Sequence, residues 1–396
     1  MMQISPETQL FIREHSSDDV RVLALQAKKY PDIDMPTAIT QIAGRKVAAE
    51  KIPSWWEIEK IWYPKHLSLE QCSSEITARY KARLFQGDSL TDLTGGFGID
   101  CSFLATGFKS ATYVERQEEL CEIAAHNFPI LNLNHINVRN EDGVAYLQTM
   151  SPVDCIFLDP ARRNEHGGKT VAISDCEPNV AELEALLLSK ANRVMIKLSP
   201  MLDLSLALKE LKHTQEIHIL SVNNECKELL ILLRQTSPAE IAIHCVNLLT
   251  KGTQEEQHLV FTREQEQRSQ CTYTDSLGNY LYEPNASLLK AGAFRSIAAA
   301  YPVRKLHPNS HLYTSDSFIE NFPGRIFRIV NQCSFNKKEV KENLADLKKA
   351  NVTVRNFPAT VAELRKRLHL TEGGDTYLFA STLNNGQKVI IRCEKV

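Results

Sequence analysis

The 396-residue sequence lacks the features that mark a membrane-spanning, secreted or zinc-finger protein. No apolar run approaches the ~18 to 20 residues that a bilayer-spanning helix requires. The ten cysteines include no Cys-x-x-Cys pair and no cluster with histidine at metal-ligand spacing, which predicts reduced thiols and no bound metal. The N-terminus carries acidic residues where a signal peptide would be basic and then apolar. We therefore expect a cytoplasmic protein without a membrane partner.

The composition excludes disordered and fibrous classes, because 43% hydrophobic and 24% charged residues are ordinary values for globular proteins. The length is too great for one average domain. The net charge of -2 is unevenly distributed, since residues 290–396 hold 18 lysines and arginines against 9 acidic residues, about +9. This basic segment indicates either an anionic partner or a solvated charged face.

The first 85 residues are predicted to be helical. Apolar residues recur at three- and four-residue steps in Asp18–Tyr30 and again in Pro36–Lys51, each behind a plausible cap. Three tryptophans follow, and crowded aromatic side chains favour packing of this helical cap onto the next domain over stacking on nucleic-acid bases. They are Trp55, Trp56 and Trp62.

Between 89 and 234, short β-branched apolar runs alternate with helical stretches, which is typical of a parallel sheet covered on both faces. The seven predicted strands are 89–93, 110–115, 135–139, 153–159, 192–198, 216–222 and 227–234. Only four residues separate the last two, too few for a parallel crossover, so they must form an antiparallel hairpin. The pattern predicts a doubly wound α/β fold with the seven-stranded class I methyltransferase sheet.

The rest of the chain continues with a predicted hairpin over 241–265, an irregular stretch to about Phe322 and a compact α+β module. The module reads strand, helix, strand, helix and two strands joined by an Asn-Asn-Gly turn. Four segments are therefore predicted: a helical domain (1–85), a Rossmann-like sheet domain (86–236), a β-rich connecting segment (237–324) and an α+β domain (325–396).

A glycine-rich loop follows the first predicted strand and opens the first helix of the sheet. Its candidate ligand-binding residues are Asp92, Thr94, Gly95, Gly96, Phe97 and Gly98. Glycines let the backbone approach a ligand closely, and the helix N-terminus behind them offers free N–H groups. Glu115 at the end of the second strand can accept ribose hydroxyls, and Asp142 after the third can meet an adenine amino group.

Two adenosine-bearing ligands are compatible with such a pocket. A dinucleotide needs Gly-x-Gly-x-x-Gly spacing, which this loop does not supply. The acidic Asp92 would repel a pyrophosphate but suits a cationic sulfonium ligand with an ammonium group. These residues favour S-adenosylmethionine over a dinucleotide, and a turn that binds nothing is the remaining alternative.

The fourth strand runs into Asp159-Pro160-Ala161-Arg162-Arg163, and its carboxylate projects at the carboxyl edge of the sheet. Methyl transfer requires alignment of the acceptor with a base or hydrogen-bond acceptor to orient it. Asp159, Pro160 and Arg162 are the candidate catalytic residues, with Asp159 as the orienting acceptor. Arg162 and Arg163 suit either a phosphate or nearby acids.

The fifth strand ends in Lys197-Leu198-Ser199-Pro200. Enzymes that methylate pyrimidine C5 need a thiolate to add to the ring, and this strand end has no cysteine. Only Cys176, in the loop after the arginines, could supply one. Lys197 is predicted to form an ion pair, with a base or phosphate contact as the alternative.

The assembled motifs resemble a bacterial family of class I S-adenosylmethionine-dependent methyltransferases that carry a C-terminal THUMP-like domain. The matching segments are LEQCSSEITARYKA (69–82), DLTGGFGID (92–100), DPARR (159–163) and KLSP (197–200), then VRNFP, ELRKRL and EGGDTYLFA near the end. The resemblance implies that Asp92, Gly95 and Gly98 line the donor site. It further implies that four residues before the first strand close over the donor's methionine end: Gln71, Ser74, Thr77 and Lys81.

THUMP domains occur in RNA-modifying enzymes, so the resemblance implies an RNA acceptor, rRNA or tRNA, bound through basic residues of 290–396. One departure concerns the fourth residue of the DPPY-like motif, where base amino-methylating enzymes carry an aromatic residue and this chain has Arg162. The target atom therefore stays open. A protein or small-molecule acceptor, and a non-catalytic RNA-binding protein, are the alternative functions.

Overall fold

The structure, a computed structural model, describes residues 4–162, 172–236, 238–251 and 255–396. Its contacts divide the chain into two compact units. The first comprises Met1–Gln215 and Leu230–Ser237, and the second comprises Glu216–Leu229 and Pro238–Val396. Across these described ranges, every helix is too short or too polar to cross a lipid bilayer.

The first unit opens with helices, as the apolar periodicity predicts. They are α1 (Pro6–Glu14), α2 (Val20–Leu25), α3 (Met35–Lys51), α4 (Pro53–Trp56), α5 (His66–Gln71) and α6 (Glu75–Leu84). Helix α3 begins after Asp34, whose carboxylate accepts a hydrogen bond from the Thr37 N–H at 3.2 Å and so caps the helix. Its apolar side buries Ala38 and Ile42 against Phe11.

The packing predicted for the tryptophans is confirmed for two of the three. Trp55 is buried in a core cluster with Phe97, where their ring centroids are 5.2 Å apart. Trp62 stacks on His126 at 3.6 Å. Trp56 does not pack in this way, because 42% of its side-chain surface is exposed.

Strands and helices then alternate along the chain. The strands are β1 (Gly87–Asp92), β2 (Phe108–Glu115), β3 (Ile136–Asn140), β4 (Val153–Leu158), β5 (Ala161–Arg162), β6 (Cys176–Glu177), β7 (Ala191–Leu198), β8 (Thr214–Val222), β9 (Glu225–Leu233), β10 (Ala242–Leu248) and β11 (Glu256–Thr262). The intervening helices are α7 (Ile99–Ala105), α8 (Glu118–Ile130), α9 (Gly143–Thr149), α10 (Val180–Lys190) and α11 (Leu204–Glu210), and α12 (Arg263–Arg268) follows β11.

The main sheet has the order β11-β10-β8-β9-β7-β4-β1-β2-β3. Strands β1, β2, β3, β4 and β7 pair in parallel, and β9 lies between β7 and β8. This order confirms the doubly wound class I methyltransferase fold. The sheet has nine strands where the sequence predicts seven, because the predicted hairpin β10–β11 pairs through β10 with the outer edge of β8. Pairing satisfies backbone groups that an edge strand would leave open.

The second unit ends in a seven-stranded sheet with the order β13-β14-β12-β15-β18-β17-β16. Its elements are β12 (Tyr280–Pro284), α13 (Ala286–Ala291), α14 (Phe294–Ala300), β13 (Arg304–Lys305), β14 (Tyr313–Ser315), β15 (Gly324–Ser334), α15 (Lys337–Leu344), β16 (Asn351–Val354), α16 (Val361–Leu368), β17 (Thr376–Thr382) and β18 (Lys388–Lys395). The prediction of an irregular stretch to Phe322 is wrong, because β12, β13 and β14 lie within it. These strands have only two to five residues, too few to show alternation.

From β15 onward the predicted strand and helix order is confirmed. Helices α15 and α16 pack on one face of the second sheet, where Leu344 and Leu370 join a buried cluster with Leu378 and Ile390. Their outer faces are polar. This arrangement leaves the basic residues of both helices exposed to solvent except Arg365, whose side chain is 26% exposed and pairs with Glu372.

Candidate functional site

The carboxyl ends of β1 and β4 lie side by side at one edge of the main sheet, as expected for parallel strands. Asp92 ends β1, and its Oδ1 accepts a hydrogen bond from the Thr94 N–H at 3.0 Å. The Thr94 hydroxyl in turn accepts a hydrogen bond from the Asp159 N–H at 2.6 Å. Thr94 therefore joins the loop after β1 to the loop after β4, and Asp92 and Asp159 lie on either side of it.

The glycine loop is held against β2. The Gly96 N–H donates to Glu115 Oε2 at 2.9 Å, and the Tyr113 hydroxyl donates to the Gly96 carbonyl at 2.5 Å. A Cβ on Gly95 would lie 2.3 Å from the Tyr113 ring, so no larger residue fits without displacing that ring. Gly98 has a φ of +87°, which glycine adopts without strain. These contacts explain why this loop carries three glycines.

Asp92 is an unusual carboxyl group. Only 1% of the residue is exposed, and among the described residues its Oδ2 has no hydrogen-bond donor. Burial raises the pKa of Asp92 to about 8, although the Thr94 N–H opposes that shift. A buried carboxyl group with an unused acceptor is costly, and a cation beside it would lower its pKa again. The group is thus suited to binding a cationic ligand.

A row of side chains with alternating positive and negative charge lies beside Asp159 and is mostly buried. Lys81 of α6 is completely buried, and its Nζ lies 2.8 Å from Asp100 Oδ1 and 2.8 Å from the Ser73 hydroxyl oxygen. Lys197 at the end of β7 lies 3.4 Å from Asp100 Oδ2 and 2.5 Å from Asp159 Oδ2. The two lysines and two aspartates form a charge-balanced network that ends at Asp159.

This network sets the charge of its members. Burial alone would raise the pKa of Asp100, but the Lys81 and Lys197 ammonium groups lower it to about 2. Burial raises the pKa of Asp159, and the Lys197 ammonium opposes that shift. The Asp159 side chain is 36% exposed, so the network presents one carboxylate to solvent. Such a carboxylate can accept a hydrogen bond from a substrate molecule that approaches it.

The remaining predicted residues occupy several positions around the loop. Glu115 is mostly buried, and its Oε1 accepts from the Gln117 N–H at 2.8 Å. Asp142 caps α9 through Oδ1, and the Thr77 hydroxyl donates to the Ser74 carbonyl in the first turn of α6. Phe97 points into the hydrophobic cluster of the N-terminal helices.

The segment after Pro160 is only partly described. Arg163 and the side chain of Arg162 lie outside the described residues, so their predicted phosphate contact stays a prediction. Cys176 pairs with Arg162 through the backbone of β5 and β6 and is only 2% exposed. Its thiol is therefore buried, and the prediction against a cysteine nucleophile stays a prediction.

Ser73 and Asp100 are site residues that the sequence did not predict, although both lie inside the segments 69–82 and 92–100. The predicted ion pair of Lys197 is confirmed, with Asp159 and Asp100 as its partners. Lys81 is buried and pairs with Asp100, and its predicted position beside a bound donor stays a prediction. The signal that could have identified Asp100 is an acidic residue in the first turn of a helix that otherwise buries apolar side chains.

The strand order of the main sheet and the glycine loop with Asp92 at its start together define a class I methyltransferase fold. A THUMP domain-like family model matches residues 324–395, and a ferredoxin-like domain model matches residues 280–323. A protein from Porphyromonas gingivalis W83, named as a candidate methyltransferase, is 34% identical over 100% of both chains, with a TM-score of 0.87. The chain therefore belongs to this protein's family, the class I methyltransferases with a C-terminal THUMP-like domain.

Two further solved structures resemble part of the chain. An rRNA methylase from Streptococcus thermophilus is 14% identical over 40% of this chain and 94% of its own, with a TM-score of 0.31. A candidate methyltransferase from Streptococcus mutans, in complex with SAH, is 14% identical over 40% of this chain and 96% of its own, with a TM-score of 0.31. The comparison with curated proteins gives no match.

Proposed function

We propose that this protein transfers a methyl group from S-adenosylmethionine to RNA, rRNA or tRNA. The observation that carries the proposal is the pair of carboxyl groups at the ends of β1 and β4, one buried with an unused hydrogen-bond acceptor and one partly exposed. Asp92 supplies the first and Asp159 the second. Class I methyltransferases need a donor site and an acceptor site at this edge of the sheet.

The residues present fit S-adenosylmethionine. The orphaned Oδ2 of Asp92 would receive a hydrogen bond from the donor's cationic end, which removes the cost of its burial. The glycine loop supplies close backbone approach, Glu115 the ribose contact and Asp142 the adenine contact. Thr94 and Phe97 hold the loop in place, and Thr77 lies before the first strand, where the methionine end is expected.

The bound donor supplies an electrophilic methyl group. The chain's own contribution is to orient the acceptor, since alignment and exclusion of water are the main requirements of an in-line displacement. Asp159 Oδ1 accepts a hydrogen bond from the acceptor, because Oδ2 is held by Lys197 at 2.5 Å. Asp100 and Lys81 fix Lys197 from behind. Pro160 and Arg162, the other two candidate catalytic residues, follow Asp159 directly in the sequence.

Each of the four predicted segments has its own part in this function. The helical segment 1–85 and the sheet segment 86–236 build the donor and acceptor sites, segment 237–324 connects, and segment 325–396 delivers RNA. The delivery surface is formed by exposed basic residues of α15, α16 and the turn between α15 and β16. They are Lys337, Lys338, Lys341, Lys348, Lys349, Lys366 and Arg367. Phosphate contacts from such side chains release counterions and make binding salt-dependent.

The test of activity uses total RNA from cells that lack this protein. Purified full-length chain and tritiated donor should label that RNA, and mass spectrometry of its nucleosides should show one modification restored. Asp159→Asn should reduce the label strongly, whereas Asp88→Asn, at an exposed ion pair with Lys109, should not. Label in protein fractions alone, or RNA binding without any transfer, would contradict the proposal and favour one of the alternatives.

The test of delivery measures RNA affinity between low and moderate salt. Replacing three lysines of α15 (Lys337, Lys338 and Lys341) with glutamine should reduce the slope of log affinity against log salt by about 2. The control replaces Lys28 and Lys29, which are also exposed but lie in the first unit. An unchanged slope in the α15 variant would assign RNA binding to another surface.

A further inference from the structure

The second unit holds a cluster of imidazole and carboxylate groups that the proposed function does not use. Glu216 and His218 are two residues apart on β8, so their side chains share one face of the strand. Strand β10 pairs in parallel with β8, in a register that places His244 directly opposite His218. The fold therefore brings together ligand groups that no short sequence motif contains.

The separations between these groups match those around a metal ion. One ligand atom from each of Glu216, His218 and His244 lies within 4.8 Å of the others. The Nε2 atoms of His218 and His244 lie 3.4 Å and 3.9 Å from Glu216 Oε2. Ligands at the usual zinc distances of ~2.0 to 2.1 Å in a tetrahedral site lie ~3.4 Å apart. The two nitrogen–oxygen separations are therefore close to the spacing of ligands around one zinc ion.

A second layer of side chains supports His244. Its Nδ1 lies 3.2 Å from His258 Nε2 on β11, at hydrogen-bond distance. His258 Nδ1 in turn lies 4.0 Å from Glu256 Oε1. A metal-binding histidine donates its other ring N–H to an acceptor, and that bond fixes its tautomer and orientation. His258 occupies this position and leaves Nε2 of His244 for the ion.

We infer that Glu216, His218 and His244 bind a divalent transition-metal ion of the zinc class. Two imidazole nitrogens and one carboxylate suit zinc, cobalt, nickel or copper, whereas magnesium and calcium prefer oxygen ligands. His218 is buried, and Glu216 is 36% exposed, so a fourth coordination position opens toward solvent on the Glu216 side. The inference departs from the sequence prediction of no metal, which considered only close spacing along the chain.

The experiment uses the untagged full-length chain after removal of metal with a chelator. Zinc titration with a competing indicator should give one ion per chain. His218→Gln and His244→Gln should each weaken binding at least 100-fold, and His258→Gln should weaken it about 10- to 100-fold. The control is His15→Gln. His15 contacts a single carboxylate, that of Asp18 at 2.7 Å, and so offers only one imidazole and one carboxylate to a metal ion. It should leave the stoichiometry and affinity unchanged.

Cobalt substitution of the unmodified protein provides a second measurement that does not depend on the folding of any variant. Visible absorption bands of a low-coordinate cobalt ion, lost on addition of one equivalent of zinc, would support the site. Absence of zinc binding, or equal affinity in the wild-type chain and His244→Gln, would show that His218, His244 and His258 only pack against one another, with His218 and His244 as a stacked pair whose ring centroids are 4.3 Å apart. That result would overturn the inference.

Discussion

Replacement of Asp92 by asparagine should make the ligand-free protein more stable and the donor site weaker. Asparagine keeps the shape of the side chain and an acceptor for the Thr94 N–H but cannot ionise. The wild-type carboxyl group is 1% exposed, and its Oδ2 has no donor among the described residues. Its ionised form is therefore unfavourable until a cation arrives.

The size of the effect follows from the pKa. Burial raises the pKa of Asp92 from 3.8 to about 8, so the folded chain keeps a proton that the unfolded chain releases. At pH 7, about three pKa units at 1.36 kcal/mol each correspond to about 4 kcal/mol of lost stability. Because the folded pKa is raised, the wild-type chain should lose stability as pH rises from about 4 to about 8. Asp92→Asn should lack this loss.

Thermal unfolding of both chains from pH 5 to pH 8 measures the difference. The gap between the two midpoints should widen with pH, reaching on the order of 10 °C for a unit of this size. Asp88→Asn on the same strand is the control, because Asp88 is exposed and pairs with Lys109. A gap that stays constant with pH would refute the argument from burial.

Donor binding provides the second half of this test. Loss of a hydrogen bond to a charged group should weaken S-adenosylmethionine binding to Asp92→Asn by roughly 10- to 100-fold. Donor binding to the wild-type chain should also release a proton at pH 7, which calorimetry in two buffers detects. Equal affinity in both chains would mean that the buried carboxyl group of Asp92 lowers stability without contributing to donor binding.

Two other substitutions test the network and the loop. Lys197→Met removes the cation that opposes the raised pKa of Asp159, so the acid limb of the pH–rate profile should move to higher pH; an unchanged limb would contradict the role of Lys197. Gly95→Ala should destabilise the chain by about 1 to 3 kcal/mol because its Cβ meets the Tyr113 ring. The cost should fall in a Tyr113→Ala background, and equal costs in both backgrounds would exclude that clash.

The strands of the main sheet were predictable because burial on both faces demands β-branched apolar runs, and each run ends where a loop begins. The same rule identified Asp92 and Asp159, since carboxyl ends of parallel strands share one edge. Strands β12, β13 and β14 escaped prediction because they are short, and their stability comes from neighbours distant in the chain.

The sequence by itself determined the alternation of strands and helices, the position of the glycine loop and the identity of the strand-end acids, because each depends on residues close together in the chain. Only the tertiary structure decided which charges meet. Lys81, Asp100 and Lys197 come from three different elements, and their pairing follows from packing. Likewise, the register between β8 and β10 places His218 beside His244, and only the paired strands define that register.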